Sequence, residues 1–184
     1  MLQIDPLKRP PNAELELAGS KSITNRALLI AALAEGKSTL SRALFAEDTL
    51  AMINCLQAFG IDIKHDHTTA TIAINGSGGE LETPQKELWV RQSGTTARFI
   101  LPLSALVKAP IEVDGDNQIR SRPQHDLLLS LNELGVEIAH NGEMGHLPLT
   151  IDGSNLTVTD ISVSGETSSQ YLSALLLVGP CLPE

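Results

Sequence analysis

The sequence predicts a mixed α/β fold (α+β in its layering) made of a repeated βαβαββ unit, with two full copies and the beginning of a third. Three observations carry this reading. Leu56-Gln-Ala-Phe-Gly60-Ile-Asp-Ile-Lys-His65 is echoed by Leu131-Asn-Glu-Leu-Gly135-Val-Glu-Ile-Ala-His140, and Thr71-Ile-Ala-Ile-Asn-Gly76 by Leu149-Thr-Ile-Asp-Gly153, at an offset of 75 to 77 residues. Met52, Ile53, Leu56 and Phe59 form one apolar stripe at helical spacing, and Leu127, Leu128, Leu131 and Leu134 form its counterpart. Three helices also begin on small hydroxyl or glycine residues: Gly19-Ser-Lys-Ser22, Ser93-Gly-Thr-Thr96 and Gly165-Glu-Thr-Ser-Ser169.

In the first unit, alternation makes Glu14–Ala18 a strand, and an apolar second half makes Ser20–Ala34 a helix. Ser38–Leu44 follows as a strand and Ala46–Phe59 as the second helix. Gly60 closes that helix in the left-handed conformation that a residue without Cβ adopts freely, and the segments ending at His65 and Gly76 pair as a hairpin. The second unit repeats the order, with strand Leu88–Arg91, helix Ser93–Val107 and strand Ile111–Asp114. Its second helix runs from Arg122 to Leu134 with Pro123 in the first turn, and a hairpin follows Gly135. The third unit opens with strand Ile161–Ser164 and helix Thr167–Val178. Leu172, Leu175, Leu176 and Leu177 pack inward, unless missing strands leave some of them exposed. The expected organisation is a segment 1–13 and one domain 14–184, with units at about 14–76, 86–153 and 156–184. By the repeat offset, roughly 45 residues of the third unit would follow Glu184.

Composition excludes several classes. Thirteen Lys+Arg against 22 Asp+Glu give a net charge of -9, which disfavours a nucleic-acid backbone as partner, and 3% aromatic residues disfavour a base-stacking platform. All 13 basic residues lie at or before Arg122. The cation-free remainder reads either as an acidic arm or as a surface whose positive complement belongs to another part. Two cysteines suit a reduced, cytoplasmic protein, and neither a secretion signal nor a membrane span is expected. Gly36-Lys-Ser38 fails as a phosphate-binding P-loop because Ala31 stands where the earlier glycine is required. His65, His67, His125, His140 and His146 lack metal-site spacing, so no metal site is expected. Ser20, Lys21 and Ser22 suggest a Ser–Lys nucleophile, but nothing around them marks an acyl-transfer site.

Small residues at a helix start expose unpaired N–H groups and the positive dipole end, which bind phosphate or carboxylate. Ordinary N-capping by Ser and Thr is the better explanation of any single start, and three equivalent starts that a three-fold arrangement could aim at one place shift the balance toward a ligand. Lys21, Arg26, Arg98, Arg120 and Arg122 lie near these starts, where cations oppose the dipole. Either an anionic ligand resolves that conflict, or the charges are solvated or paired with Glu47, Asp48 or Asp116.

Taken together, Leu17-Ala-Gly-Ser-Lys-Ser-Ile-Thr-Asn-Arg26 and its continuation to Gly36, Ser93-Gly-Thr-Thr-Ala-Arg98, Asp114-Gly-Asp with Arg120-Ser-Arg-Pro123, and Ser168-Ser-Gln-Tyr-Leu-Ser-Ala-Leu-Leu176 closely resemble the EPSP synthase family of enolpyruvyl transferases. The likeness runs from about Leu15 to the end. Ala18, Gln92 and Tyr171 depart from the family's usual proline, asparagine and phenylalanine. The resemblance implies an inside-out α/β barrel domain and transfer of the enolpyruvyl group of phosphoenolpyruvate to the 5-hydroxyl of shikimate 3-phosphate, without metal or organic cofactor. Lys21 would be catalytic and touch both substrates. Ser22, Arg26, Ser168, Ser169 and Gln170 would hold shikimate 3-phosphate. Gly94 and Arg122 would bind phosphoenolpyruvate with Gln170 nearby, and Arg98 and Thr95 would support the anion site. A second domain, absent from these residues, would supply further cations and the proton-moving groups, so the 184-residue chain alone is expected not to turn over. The alternatives are a non-catalytic anion-binding module of the same fold and another enolpyruvyl transferase; the latter is disfavoured by Ser168-Ser-Gln170.

Overall fold

The computed structural model describes residues 6, 8–157, 160–164 and 166–182. Helix α1 (Lys21–Leu33) leads into strand β1 (Glu35–Leu40), helix α2 (Glu47–Ala58) and the hairpin β2 (Asp62–Asp66) and β3 (Thr71–Ser77). Strand β4 (Leu88–Trp89) begins the next stretch, followed by α3 (Gly94–Ser104), β5 (Pro110–Asp114), the short α4 (Asn117–Arg120), α5 (His125–Glu133) and the hairpin β6 (Glu137–His140) and β7 (Leu149–Asp152). Helix α6 (Ser169–Val178) and a single 3-10 turn close the described chain.

Two sheets result, ordered β1-β3-β2 and β4-β5-β7-β6. All pairings are antiparallel except the parallel pair β4 and β5. The arrangement β1-β3-β2 thus has the same connectivity as β5-β7-β6. The helix ends match as well. Gly60 (φ +86°) and Gly135 (φ +79°) are left-handed, and Ile61 and Val136 return their N–H groups to Leu56 and Leu131 at 3.2 and 3.1 Å. The next carbonyl partners correspond too: Phe59 accepts from Glu82 N–H at 2.9 Å, and Leu134 from Thr157 N–H at 2.8 Å.

Helix α3 forms the centre. Its Ala97, Phe99, Ile100, Leu101 and Leu103 are buried, and it packs against α1, α2 and α6. Buried Tyr171, Phe59 and Met52 fill the same core. Cys55 lies on the buried side of α2, where burial pushes its thiol up to about 12 and keeps it protonated. No helix among the described residues is long and apolar enough to cross a membrane.

Several elements differ from the sequence reading, each for a local reason. Glu14–Ala18 is irregular, because alternation forms a strand only where one face is covered, and Leu15 and Leu17 remain 79% and 80% exposed. β1 begins at Glu35 rather than Ser38 and ends at Leu40. Gly36 sits within it at φ +90°, so the glycine hides pairing that the register shows from Glu35 onward. The helix expected from Arg122 with Pro123 in its first turn starts only at His125, because Gln124 donates its N–H to Gly145 O at 2.8 Å, and the separate short α4 ends at Arg120, so Pro123 lies between helices. Ile161–Ser164 is not a strand. The Ser162 backbone bonds to α5 instead, its N–H on Glu133 Oε2 at 3.1 Å and its carbonyl accepting from Ser130 Oγ at 3.2 Å. α6 starts at Ser169, two residues later than expected. Leu175 is buried, whereas Leu172 and Leu176 are exposed. Gly165 of the third helix-start motif lies outside the described residues.

Candidate active site

Four helices begin around one cleft of about 550 Å³. Lys21 and Ser22 come from α1, Glu47 and Asp48 from α2, Gly94, Thr95 and Arg98 from α3, and Gln170 from α6. The loop before α3 adds Arg91, Gln92 and Ser93, α4 adds Gln118, and the residues flanking α4 add Asp116 and Arg122. The serines cap their helices in the ordinary way. Ser20, Ser93 and Ser168 accept from Ile23, Thr96 and Gln170 N–H at 3.4, 3.1 and 3.2 Å. Each serine satisfies one N–H, so the dipole ends still face a common space.

The loop entering α3 is held firmly. Ser93 Oγ donates to Thr96 Oγ1 at 2.7 Å, and Thr96 Oγ1 donates to the Asp48 carbonyl at 3.0 Å, which ties the starts of α2 and α3 together. Gly94 leaves room for a side chain from another loop. A Cβ there would lie 2.9 Å from Arg122 Nη1, so the bare backbone lets the guanidinium settle over the start of α3.

The cations divide by partner. Lys21 Nζ meets Asp48 Oδ2 at 2.6 Å, and Arg91 pairs with Glu47. Arg120 forms a two-point pair with buried Asp114, its Nε donating to Oδ1 at 2.8 Å. This bond, above all, raises the Arg120 guanidinium above its ordinary pKa and occupies it structurally. Arg98 reaches across to α6, donating to Gln170 Oε1 at 2.8 Å and Ser168 Oγ at 3.3 Å while lying 5.2 Å from the Tyr171 ring centroid. Gln170 Nε2 donates in turn to Thr95 Oγ1 at 3.2 Å, so both ends of its amide are held by α3. The buried Arg98 Nε has no hydrogen-bond partner among the described residues. Four cations face three carboxylates around the cleft.

Of the residues singled out from the sequence, Lys21, Ser22, Gly94, Thr95, Arg98, Arg122 and Gln170 line this cleft. Ser168 adjoins it through Arg98. Arg26 and Ser169 do not line it. Arg26 donates to Ser22 O at 3.2 Å and Ser173 Oγ at 3.4 Å over the Phe99 ring, and Ser169 is exposed. Pairing with α2 carboxylates, one of the two readings left open, holds for Lys21 with Asp48. Sequence reasoning missed Arg91 and Gln118 as lining residues. Arg91 carried a usable signal: a cation two residues before the N-cap Ser93 of a helix whose start is one of the three candidate anion sites.

A family profile described as EPSP synthase (3-phosphoshikimate 1-carboxyvinyltransferase) matches residues 8–184. The chain belongs to the EPSP synthase family. Among EPSP synthase relatives, the 3-phosphoshikimate 1-carboxyvinyltransferase of Trichormus variabilis is 42% identical over 179 residues, covering 97% of this chain and 42% of its own length. The protein of that name from Methanothermobacter thermautotrophicus is 41% identical over 161 residues, covering 88% of this chain and 38% of its own. A solved EPSP synthase from Acinetobacter baumannii superposes with a TM-score of 0.82 at 28% identity, covering 90% of this chain and 38% of that one. The chain therefore spans about two-fifths of the length of these EPSP synthases.

Proposed function

We propose that this chain is the first domain of an EPSP synthase, an inside-out α/β barrel of βαβαββ units, over residues 14–184. Its reaction is transfer of the enolpyruvyl group of phosphoenolpyruvate to the 5-hydroxyl of shikimate 3-phosphate, releasing phosphate. The shared connectivity of β1-β3-β2 and β5-β7-β6 supports repetition of the last three strands of the unit, whose opening strand is formed in the second copy, as β4. The names of the relatives support the reaction. Free Cys55 and Cys181 suit a cytoplasmic enzyme.

One observation carries the functional reading: the starts of α1, α3 and α6 face a single cleft together with Lys21, Arg98 and Arg122. Both substrates are multiply anionic, and holding them side by side needs several cations and oriented N–H groups in a site that excludes water. Phosphoenolpyruvate binds over Gly94 under Arg122. Shikimate 3-phosphate binds toward Ser22, Arg26, Ser168, Ser169 and Gln170, and Lys21 lies between and touches both. Thr95 and Arg98 orient Gln170 through the two ends of its amide. The Lys21–Asp48 pair is half exposed at its lysine, so exchanging Asp48 for a substrate anion costs little.

The test is a titration of the isotope-labelled 184-residue chain with millimolar shikimate 3-phosphate. Shifts at the Lys21, Arg26 and Ser169 amides are expected, with no turnover by the chain alone. Absence of those shifts overturns the half-site, and turnover overturns the need for a second domain. Displacement of shikimate 3-phosphate by a UDP-sugar would favour another enolpyruvyl transferase.

A further inference from the structure

Arg91 is held in a conformation that an arginine does not choose. Its φ is +54°, in the left-handed region where a Cβ crowds the backbone. Among the described residues three non-glycine residues have positive φ, namely Arg42, Ala70 and Arg91, and of these only Arg91 lines the cleft at the helix starts. The surroundings leave its backbone no alternative. Val90 N–H donates to Asp114 O at 2.8 Å, Ser93 N–H to Val90 O at 3.1 Å, and Asp116 N–H to Arg91 O at 3.0 Å. Gly115 approaches so closely that a Cβ on it would lie 2.5 Å from Arg91 O. Glycine would satisfy this turn without strain, yet the position carries a long cationic side chain. Strain of this kind persists where the framework over-determines it, and it concentrates at sites of function.

The side chain pairs with Glu47, whose own side chain is 78% exposed. An ion pair so open to water contributes little stability and exchanges readily for a better anion. The guanidinium shares the cleft with Lys21, Gly94 and Arg122. Glu47, Asp48 and Asp116 are the carboxylates that line the cleft with it.

We infer that Arg91 is an additional anion-binding residue of this cleft, parked on Glu47 when the site is empty and turning to the phosphate or carboxylate group of phosphoenolpyruvate when it is filled. This inference rests on the reading of the cleft as the enolpyruvyl-transfer half-site. No covalent step is involved; one ion pair replaces another, and the planar fork of arginine suits either anionic group.

The experiment compares the 184-residue chain with Arg91→Gly, Arg91→Lys and Glu47→Gln, titrating each with phosphoenolpyruvate and separately with shikimate 3-phosphate by NMR, and measuring Tm. Arg91→Gly is expected to weaken phosphoenolpyruvate binding by about 5- to 10-fold, the scale of one charge-assisted contact, with less than about a twofold change for shikimate 3-phosphate. Its Tm stays level or rises, because glycine relieves the backbone. Arg91→Lys recovers part of the affinity, and Glu47→Gln tightens phosphoenolpyruvate binding by freeing Arg91. A purely structural Arg91 would give the opposite pattern: lowered Tm with unchanged affinity. Wild-type binding with no loss in Arg91→Gly overturns this inference alone. Failure of the wild-type chain to bind either anion overturns both it and the half-site reading.

Discussion

The Tyr171 hydroxyl donates to the Pro123 carbonyl at 2.8 Å from a ring with no exposed surface. One side chain of α6 thereby stands behind two residues that line the cleft, Arg98 and Arg122. The ring supports the Arg98 guanidinium, which holds Gln170, while the hydroxyl anchors the turn that carries Arg122. Burial, more than any other influence, raises the phenol above its ordinary pKa, so it stays a donor at physiological pH.

Tyr171→Phe keeps the ring and removes only that anchor, leaving a carbonyl without its partner. The expected loss is about 1–2 kcal/mol of stability in urea unfolding. Phosphoenolpyruvate affinity falls with it, because the Arg122 turn loosens, while the Arg98–Gln170 bond survives. Equal affinities for phosphoenolpyruvate in the two proteins would show that the hydroxyl serves the core alone.

Gly94→Ala tests the close approach of Arg122 to α3. The atom in the way, Arg122 Nη1 at 2.9 Å, is the far end of a flexible side chain, so the fold survives and the guanidinium moves aside. Circular dichroism should match the wild type. Phosphoenolpyruvate binding should weaken by about tenfold, the value of one strong charged contact, and shikimate 3-phosphate binding far less.

Gly76 and Gly153 occupy matching positions at the ends of β3 and β7, where backbone rather than side chain stands in the way. A Cβ would lie 2.1 Å from Ala34 O at the first and 1.9 Å from Ala105 O at the second. Alanine at either site is expected to cost about 2–3 kcal/mol through displaced backbone, and thermal unfolding of both variants would measure it. A neutral result at one of them would mean that its hairpin can slide away from the helix end.

Asp66 gives the β2–β3 turn a small acid dependence. Bonds from the Thr68 side chain first, then from the Thr68 backbone and the Thr69 side chain, lower its carboxyl from 3.8 to about 2. A carboxyl lowered in the folded state stabilises it fully above the unfolded value, and that contribution is lost as pH falls through the folded one. Stability should therefore drop between about pH 4 and pH 2, and Asp66→Asn should flatten that part of the profile in urea unfolding.

The helices and hairpins were legible because their signals are local. The stripe Met52, Ile53, Leu56 and Phe59 closed by Gly60, and its echo ending at Leu134 and Gly135, need only helical spacing and one left-handed residue. Glu14–Ala18 and Ile161–Ser164 were not legible as irregular segments, since alternation says what a strand would look like but not whether an edge is present to pair with it. Lys21, Gly94, Arg98, Arg122 and Gln170 stood out as residue types at helix starts, and they do share one cleft.

By itself the sequence determined the helices and hairpins, their order, the family and the residue types gathered at the helix starts. Only the tertiary structure decided the partners. Lys21 with Asp48, Arg91 with Glu47, Arg120 with Asp114 and Arg98 with Gln170 are separated by 27, 44, 6 and 72 residues, and most of these separations are too long for any local rule to pair. The missing basic charge after Arg122 took on its meaning in the same way. Helix α6 brings no cation of its own and borrows Arg98 from α3, because packing sets the two helices side by side and places the donor of one against the acceptor of the other.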